Sequence, residues 1–259
     1  MDGNFGAALK QWRNQRHISQ LDLGLMADVS ARHISFLETG RSKPSRPMVQ
    51  QLCETLDIPR TARNGMLNAA GFVAVFGERD FNEDGMKEIR EAIDWTLQRH
   101  DPYPAIVLDR HWVIVKTNNS SKLLLDALGL DEGSSLLEIA ADKQKMVELF
   151  ENWQEVGLHL IARLRTESAH YGGDEYLDGI ASNLATQIGA TSFNDAGVLP
   201  AVIPARYRAG SVTLSLFSTI AQFGTAEDIA LADLRIELMF PADESTKAML
   251  LSMAPNGSL

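Results

Sequence analysis

Residues 20–40, QLDLGLMADVSARHISFLETG, decide how the front of the chain folds. Leu21, Leu23, Leu25 and Met26 fall within one short helix, and Ile34 and Leu37 stand three apart on a second. Asp28, Val29 and Ser30 between them read as a tight turn, because Asp enters turn and left-handed conformations more cheaply than most residues. Ser30 is placed to cap the second helix, its hydroxyl accepting from an otherwise unpaired backbone N–H. Gly40 ends that helix where a positive φ is wanted. Two such helices with a short joint form a helix-turn-helix. A unit this small cannot bury its own apolar faces, so its flanks must complete the core.

The flanks carry the right pattern. Phe5, Leu9 and Trp12 recur at four and three residues, the stripe of an amphipathic helix. Ser19 caps the next helix, and Asp22 puts negative charge in its first turn. Ser45 caps a fourth helix with Pro47 in the first turn, and Val49, Leu52, Cys53 and Leu56 carry it to Asp57-Ile58-Pro59. A fifth helix over about 61–70 ends at Gly71. Five short helices within residues 1–75 predict one small all-α domain.

Charge separates this domain from the rest. The chain has 259 residues and a net charge of −10. Residues 1–75 hold nine Lys and Arg against six Asp and Glu, a net +3, which leaves −13 for the remainder. Such asymmetry fits a nucleic-acid module joined to an unrelated domain. The 45% apolar content suits packed cores and excludes general disorder. No apolar run approaches the roughly 18 residues of a membrane span, and MDGNFGAALKQW has no basic region followed by an apolar core. A cytoplasmic protein without a membrane partner is expected. The one cysteine, Cys53, lies on an apolar stripe and reads as packing.

The run SQ–LGLMADVS–RHISFLETGRSKPS resembles the helix-turn-helix of the XRE family of bacterial repressors over about 55 residues. Asp28 stands where that family usually has Gly. The resemblance implies that the second motif helix enters the DNA major groove. On it, Ser30, Ala31, Arg32, Ser35 and Phe36 face the groove, and Gln20 meets backbone and base from the preceding helix. Arg41, Lys43, Ser45 and Arg46 approach phosphates. The resemblance also implies an Arg13–Glu38 ion pair locking two helices together. The residues agree by themselves: with Ile34 and Leu37 inward, Arg32 points away and can fork two donors onto guanine. Phe36 either meets a thymine methyl or packs on a neighbouring helix.

The remainder alternates differently. Residues 72–85, FVAVFGERDFNEDG, read as a connection, and 76–100 as linker plus a connecting helix. That helix, with Ile89, Ile93, Leu97 and Trp95, is either a dimer seam or a cover for the next domain. AIVLD and WVIVKTN, joined by Asp109-Arg110-His111, make a hairpin. Helices follow: one capped at 118–120, a long one over about 142–168, and one over about 175–188. Strands are expected near 202–207, 211–222 and 232–240, then a helix opened by Pro241-Ala242-Asp243. Residues 101–259 therefore form an α+β domain with an antiparallel sheet.

That order resembles a PAS-like sensor fold. PAIVLDRHWVIVKTNNSSKLLL behind this helix-turn-helix, together with NGMLNAAGF, resembles the MmyB-like regulators. The resemblance implies a small apolar, fatty-acid-like ligand in the cup of the sheet. Val107, Trp112, Ile114, Leu214, Leu216 and Phe217 either line that cavity or are ordinary core. Arg206 and Arg208 either hold a carboxylate or form a solvated strand face.

No catalytic or phosphate-binding motif occurs, and His159 and His170 lack the spacing of a zinc site. No enzyme activity, cofactor or metal is expected. The expectation is a transcription regulator that binds a double-stranded operator as a homodimer and senses a small apolar ligand. The alternative is a repressor whose acidic domain is a protein-interaction module, antitoxin-like, with no small ligand.

Overall fold

The computed structural model describes residues 5–74, 86–189, 202–210, 212–223, 231 and 233–253. They group into two compact units, one within Met1–Glu78, Thr166–Asp174 and Ala226–Ala232, the other within Arg79–Arg165, Glu175–Thr225 and Asp233–Leu259. Most of the expected connection, from residue 75 to 85, lies outside the described residues.

The first unit contains α1 Phe5–Gln15, α2 Gln20–Met26, α3 Ala31–Glu38, α4 Arg46–Thr55 and α5 Arg60–Ala69. Their starts are set by side-chain caps. Ser19 and Asp22 form a reciprocal capping box on α2, Ser30 accepts from His33 N, and Ser45 accepts from Met48 N. Asp28 has φ +50 in the turn and Gly40 has φ +71 after α3. Leu9, Leu23, Ile34, Leu37, Val49, Leu52 and Cys53 form one core. Burial pushes the Cys53 thiol up to about 12, as inert packing requires. Of the apolar residues of α2 only Leu23 is inward; Leu21, Leu25 and Met26 are exposed.

The second unit is built on an antiparallel sheet of order β2-β1-β5-β4-β3. Its strands are β1 Ala105–Leu108, β2 Ile114–Thr117, β3 Ala205–Ala209, β4 Val212–Gln222 and β5 Arg235–Pro241. This is the PAS-like order expected, with helices between the second and third strands. α6 Lys87–His100 groups with this unit. Ile93 and Leu97 of α6 are buried, and the Asn118 side-chain amide donates to the Leu97 carbonyl. Trp95 is left exposed.

Between β2 and β3 lie α7 Asn119–Asp126, α8 Leu137–Ala140, α9 Lys143–Leu149, α10 Trp153–His170 and α11 Glu175–Ile188. The single long helix expected over about 142–168 is two. Phe150 takes an extended conformation, Glu151 N donates to Arg206 O at 2.8 Å, and the Asn152 side chain accepts from Arg206 N and donates to Pro204 O. Pairing with β3 outweighs the helical continuity that the apolar spacing suggests. The last helix, α12 Glu244–Met253, starts where Asp243 accepts from Thr246 N at 2.7 Å.

Candidate functional site

In the first unit, a buried polar network anchors the C-terminal end of α3 at Glu38. The Arg13 Nε donates to Glu38 Oε1 at 2.6 Å, Arg13 Nη2 to Glu38 Oε2 at 3.1 Å, and Arg13 Nη1 to Ile18 O at 2.8 Å. Gln20 Nε2 donates to the same carboxylate at 2.7 Å, so Gln20 sits half-buried and tied to Glu38. This network joins α1, α2 and α3. Gly6 and Gly24 allow the close approach: a Cβ on Gly6 would lie 2.5 Å from the Leu37 and Glu38 carbonyl oxygens, and one on Gly24 2.6 Å from Val29 O.

On the outer face, Arg32 is exposed and Ala31 and Ser35 are half-buried. Phe36 is half-buried beneath two cations, with the Arg32 guanidinium 5.2 Å and that of Arg41 5.9 Å from its ring. This gives an aromatic on a polar surface a role that neither alternative from the sequence included. Ser30 and Ser45 are exposed and occupied as caps. Arg41 and Lys43 are exposed; Arg46 is exposed but donates to Val73 O at 2.6 Å.

The second unit holds a cavity of about 310 Å³ between the sheet and α7–α10. Its walls are mainly Leu, Ile, Met, Phe and Ala side chains. That size is at the small end of ligand pockets, roughly 300–1,000 Å³. Trp112, Arg208, Leu214, Leu216 and Phe217 border it. Val107, Ile114 and Arg206 do not line it, which favours the core or strand-face alternative for each. Alternation along β1 sends Ile106 into the cavity and Val107 to the opposite face. Ile114 packs in the core cluster with Leu108 and Leu137. Arg206 Nε lies 3.7 Å from Glu151 Oε1, and both Arg206 and Arg208 are exposed on one face of β3.

The cavity wall carries polar groups that the sequence did not single out. Glu237 on β5 is 6% exposed and accepts at Oε1 from Arg163 Nη1 at 2.9 Å and from Ser218 Oγ at 2.7 Å. Burial works against its charge, but Arg163, the Ser218 hydrogen bond and Arg235 outweigh burial and hold the carboxyl below its usual range. Partial burial and the neighbouring Arg163 lower His159, which favours the neutral imidazole. Burial and the Glu237 charge raise Tyr207, keeping it a neutral phenol. Trp112 has φ +62, a costly conformation for a bulky residue, in a turn where Asp109 Oδ1 accepts from His111 N and Val113 N. Its ring lies 4.1 Å from the Arg163 guanidinium and 4.8 Å from that of Arg235. The available signal was a lone Glu in the apolar run RIELMF and Arg163 amid Leu160, Ile161, Ala162 and Leu164 on α10.

Among the described residues no helix is long and apolar enough to cross a membrane. Residues 9–62 match a helix-turn-helix family, and residues 89–253 match the MmyB-like transcription regulator ligand binding domain. No curated protein matches the chain. With most of its length inside the second of these families and helices α1–α5 overlapping the first, the chain belongs to the MmyB-like transcription regulators, DNA-binding proteins that carry a ligand-binding domain.

Proposed function

We propose that this regulator reads a specific operator with the N-terminal part of α3, as a homodimer on a pseudo-palindrome, and responds to a small apolar ligand in the cavity. The observation that carries the ligand reading is the cavity itself, about 310 Å³ with largely apolar walls. Groove reading is supported by the outward Arg32 on a helix anchored from behind by Ile34, Leu37 and Glu38. Dimerisation is supported by arithmetic: one such module contacts too few bases for genomic specificity. The ligand acts by binding one arrangement of the DNA-reading heads more tightly than another.

Native mass spectrometry of protein purified from its host tests the ligand half. A co-purifying apolar small molecule at one per chain, which weakens or strengthens operator binding when restored to stripped protein, is the expected result. A stoichiometric bound protein with no small molecule would favour the protein-interaction alternative.

A further inference from the structure

Phe36 holds two cations at once. The Arg32 guanidinium lies 5.2 Å from the centre of its ring and that of Arg41 5.9 Å from it. Arg32 stands four residues before Phe36 on α3, a spacing that makes the two neighbours on one helix face. Arg41 comes from the loop beyond the helix. Gly40, at φ +71, turns that loop back, and Ser42 N donates to the Phe36 carbonyl at 3.2 Å. The loop is thereby tied to the same residue whose ring Arg41 approaches.

The ring does little for the core. Ile34 and Leu37 belong to the buried cluster of the helical unit, and among the described residues Phe36 is neither in that cluster nor packed against it. What the ring supplies is order that consumes no donors. An arginine fixed by a carboxylate spends N–H groups on it. One fixed over an aromatic face keeps its planar fork of donors free. Among the described residues neither Arg32 nor Arg41 makes a hydrogen bond or ion pair, so both forks remain available. A guanine edge can take two of these donors, and a phosphate others. A side chain already stacked also has less rotamer freedom to surrender on binding.

We infer that Phe36 is a positioning residue for DNA recognition. It stacks Arg32 and Arg41 on its ring, presents the first to a base edge and the second to a phosphate, and does not itself touch a base. This rests on the proposal that Arg32 reads a base edge.

A double-mutant cycle in the full chain tests it. The readout is the ratio of affinities for an operator, selected by the wild-type chain from random duplexes, and for a scrambled duplex at fixed salt. Phe36→Leu keeps an apolar side chain able to meet a thymine methyl but removes the π-face. It is expected to lower the ratio roughly two- to fivefold. Because the ring lies outside the core, thermal unfolding of this variant is expected to stay near that of wild type. Phe36→Tyr keeps a π-face and is expected to keep the wild-type ratio. In an Arg32→Ala background, Phe36→Leu is expected to change the ratio no further. An equal loss in that background shows Phe36 touching a base itself and overturns the inference. So does a ratio that Arg32→Ala lowers and Phe36→Leu leaves unchanged. A ratio unchanged by Arg32→Ala overturns the base-reading proposal as well.

Discussion

Arg13 and Glu38, twenty-five residues apart, meet through two hydrogen bonds with side chains only 11% and 2% exposed. The pair is closed on all sides: Gln20 and the Ile18 carbonyl take up remaining donors and acceptors. A satisfied buried pair adds modest net stability, but removing one partner strands the other charge. Glu38→Leu is therefore expected to destabilise the helical unit by about 3–5 kcal/mol. Adding Arg13→Met should recover much of that loss. Chemical denaturation of the two variants checks this; equal losses in the single and double variants would contradict it.

The contact between α1 and α3 leaves no room for a methyl group. A Cβ at Gly6 would press on the backbone oxygens of Leu37 and Glu38, which cannot swing away as a side chain can. Gly6→Ala is expected to cost about 1–3 kcal/mol, the usual penalty of overpacking. At Gly65, on α5, an added Cβ meets nothing within 4 Å. Gly65→Ala should instead stabilise by up to about 1 kcal/mol through helix propensity. Thermal unfolding of both variants separates steric from propensity effects.

How far the sequence was legible follows from which forces are local. Caps such as Ser19, Ser30 and Ser45 and the periodicity of Leu, Ile and Val depend on near neighbours, so all five helices of the first unit were readable. The Arg13–Glu38 pair came from a resemblance, since nothing in the spacing of the two demands contact. The break at Phe150–Asn152 was not readable, because it is made by hydrogen bonds to β3 more than fifty residues away. The face taken by Val107 was not readable, because every residue of β1 is buried, and a strand covered on both faces shows no alternation to read. Glu237 escaped notice for a different reason: its meaning depends on Arg163, a partner from α10.

Asn152 is the joint of that break. It is 7% exposed, accepts from Arg206 N at 3.0 Å and donates to Pro204 O and Glu155 Oε2, both at 2.9 Å. Asn152→Ala leaves a backbone donor and a carbonyl without partners, an expected loss of about 1–3 kcal/mol. Hydrogen exchange at Arg206 N should speed up in the variant relative to Leu216 N. Unchanged protection would show that β3 holds its place without Asn152.

Filling the cavity should separate ligand response from DNA reading. Ala205 borders it from β3, and Ala205→Phe drives a ring into the apolar space. Ligand binding is expected to fall beyond detection while operator affinity of ligand-free protein stays within about twofold, since the helix-turn-helix has its own core. Calorimetry with dodecanoate as the apolar probe and anisotropy with labelled DNA measure the two quantities on one preparation.

The central claim is that Arg32, outward on α3 above Phe36, reads a base edge. Its most direct test is the ratio of affinities for an operator, selected by the full chain from random duplexes, and for a scrambled duplex, at fixed salt, with Arg32→Ala alongside. The account predicts that the substitution lowers this ratio by about 1–3 kcal/mol per contacted guanine, with a smaller loss on scrambled DNA. A ratio unchanged by Arg32→Ala, or a wild-type chain that selects no sequence from the pool, would contradict it.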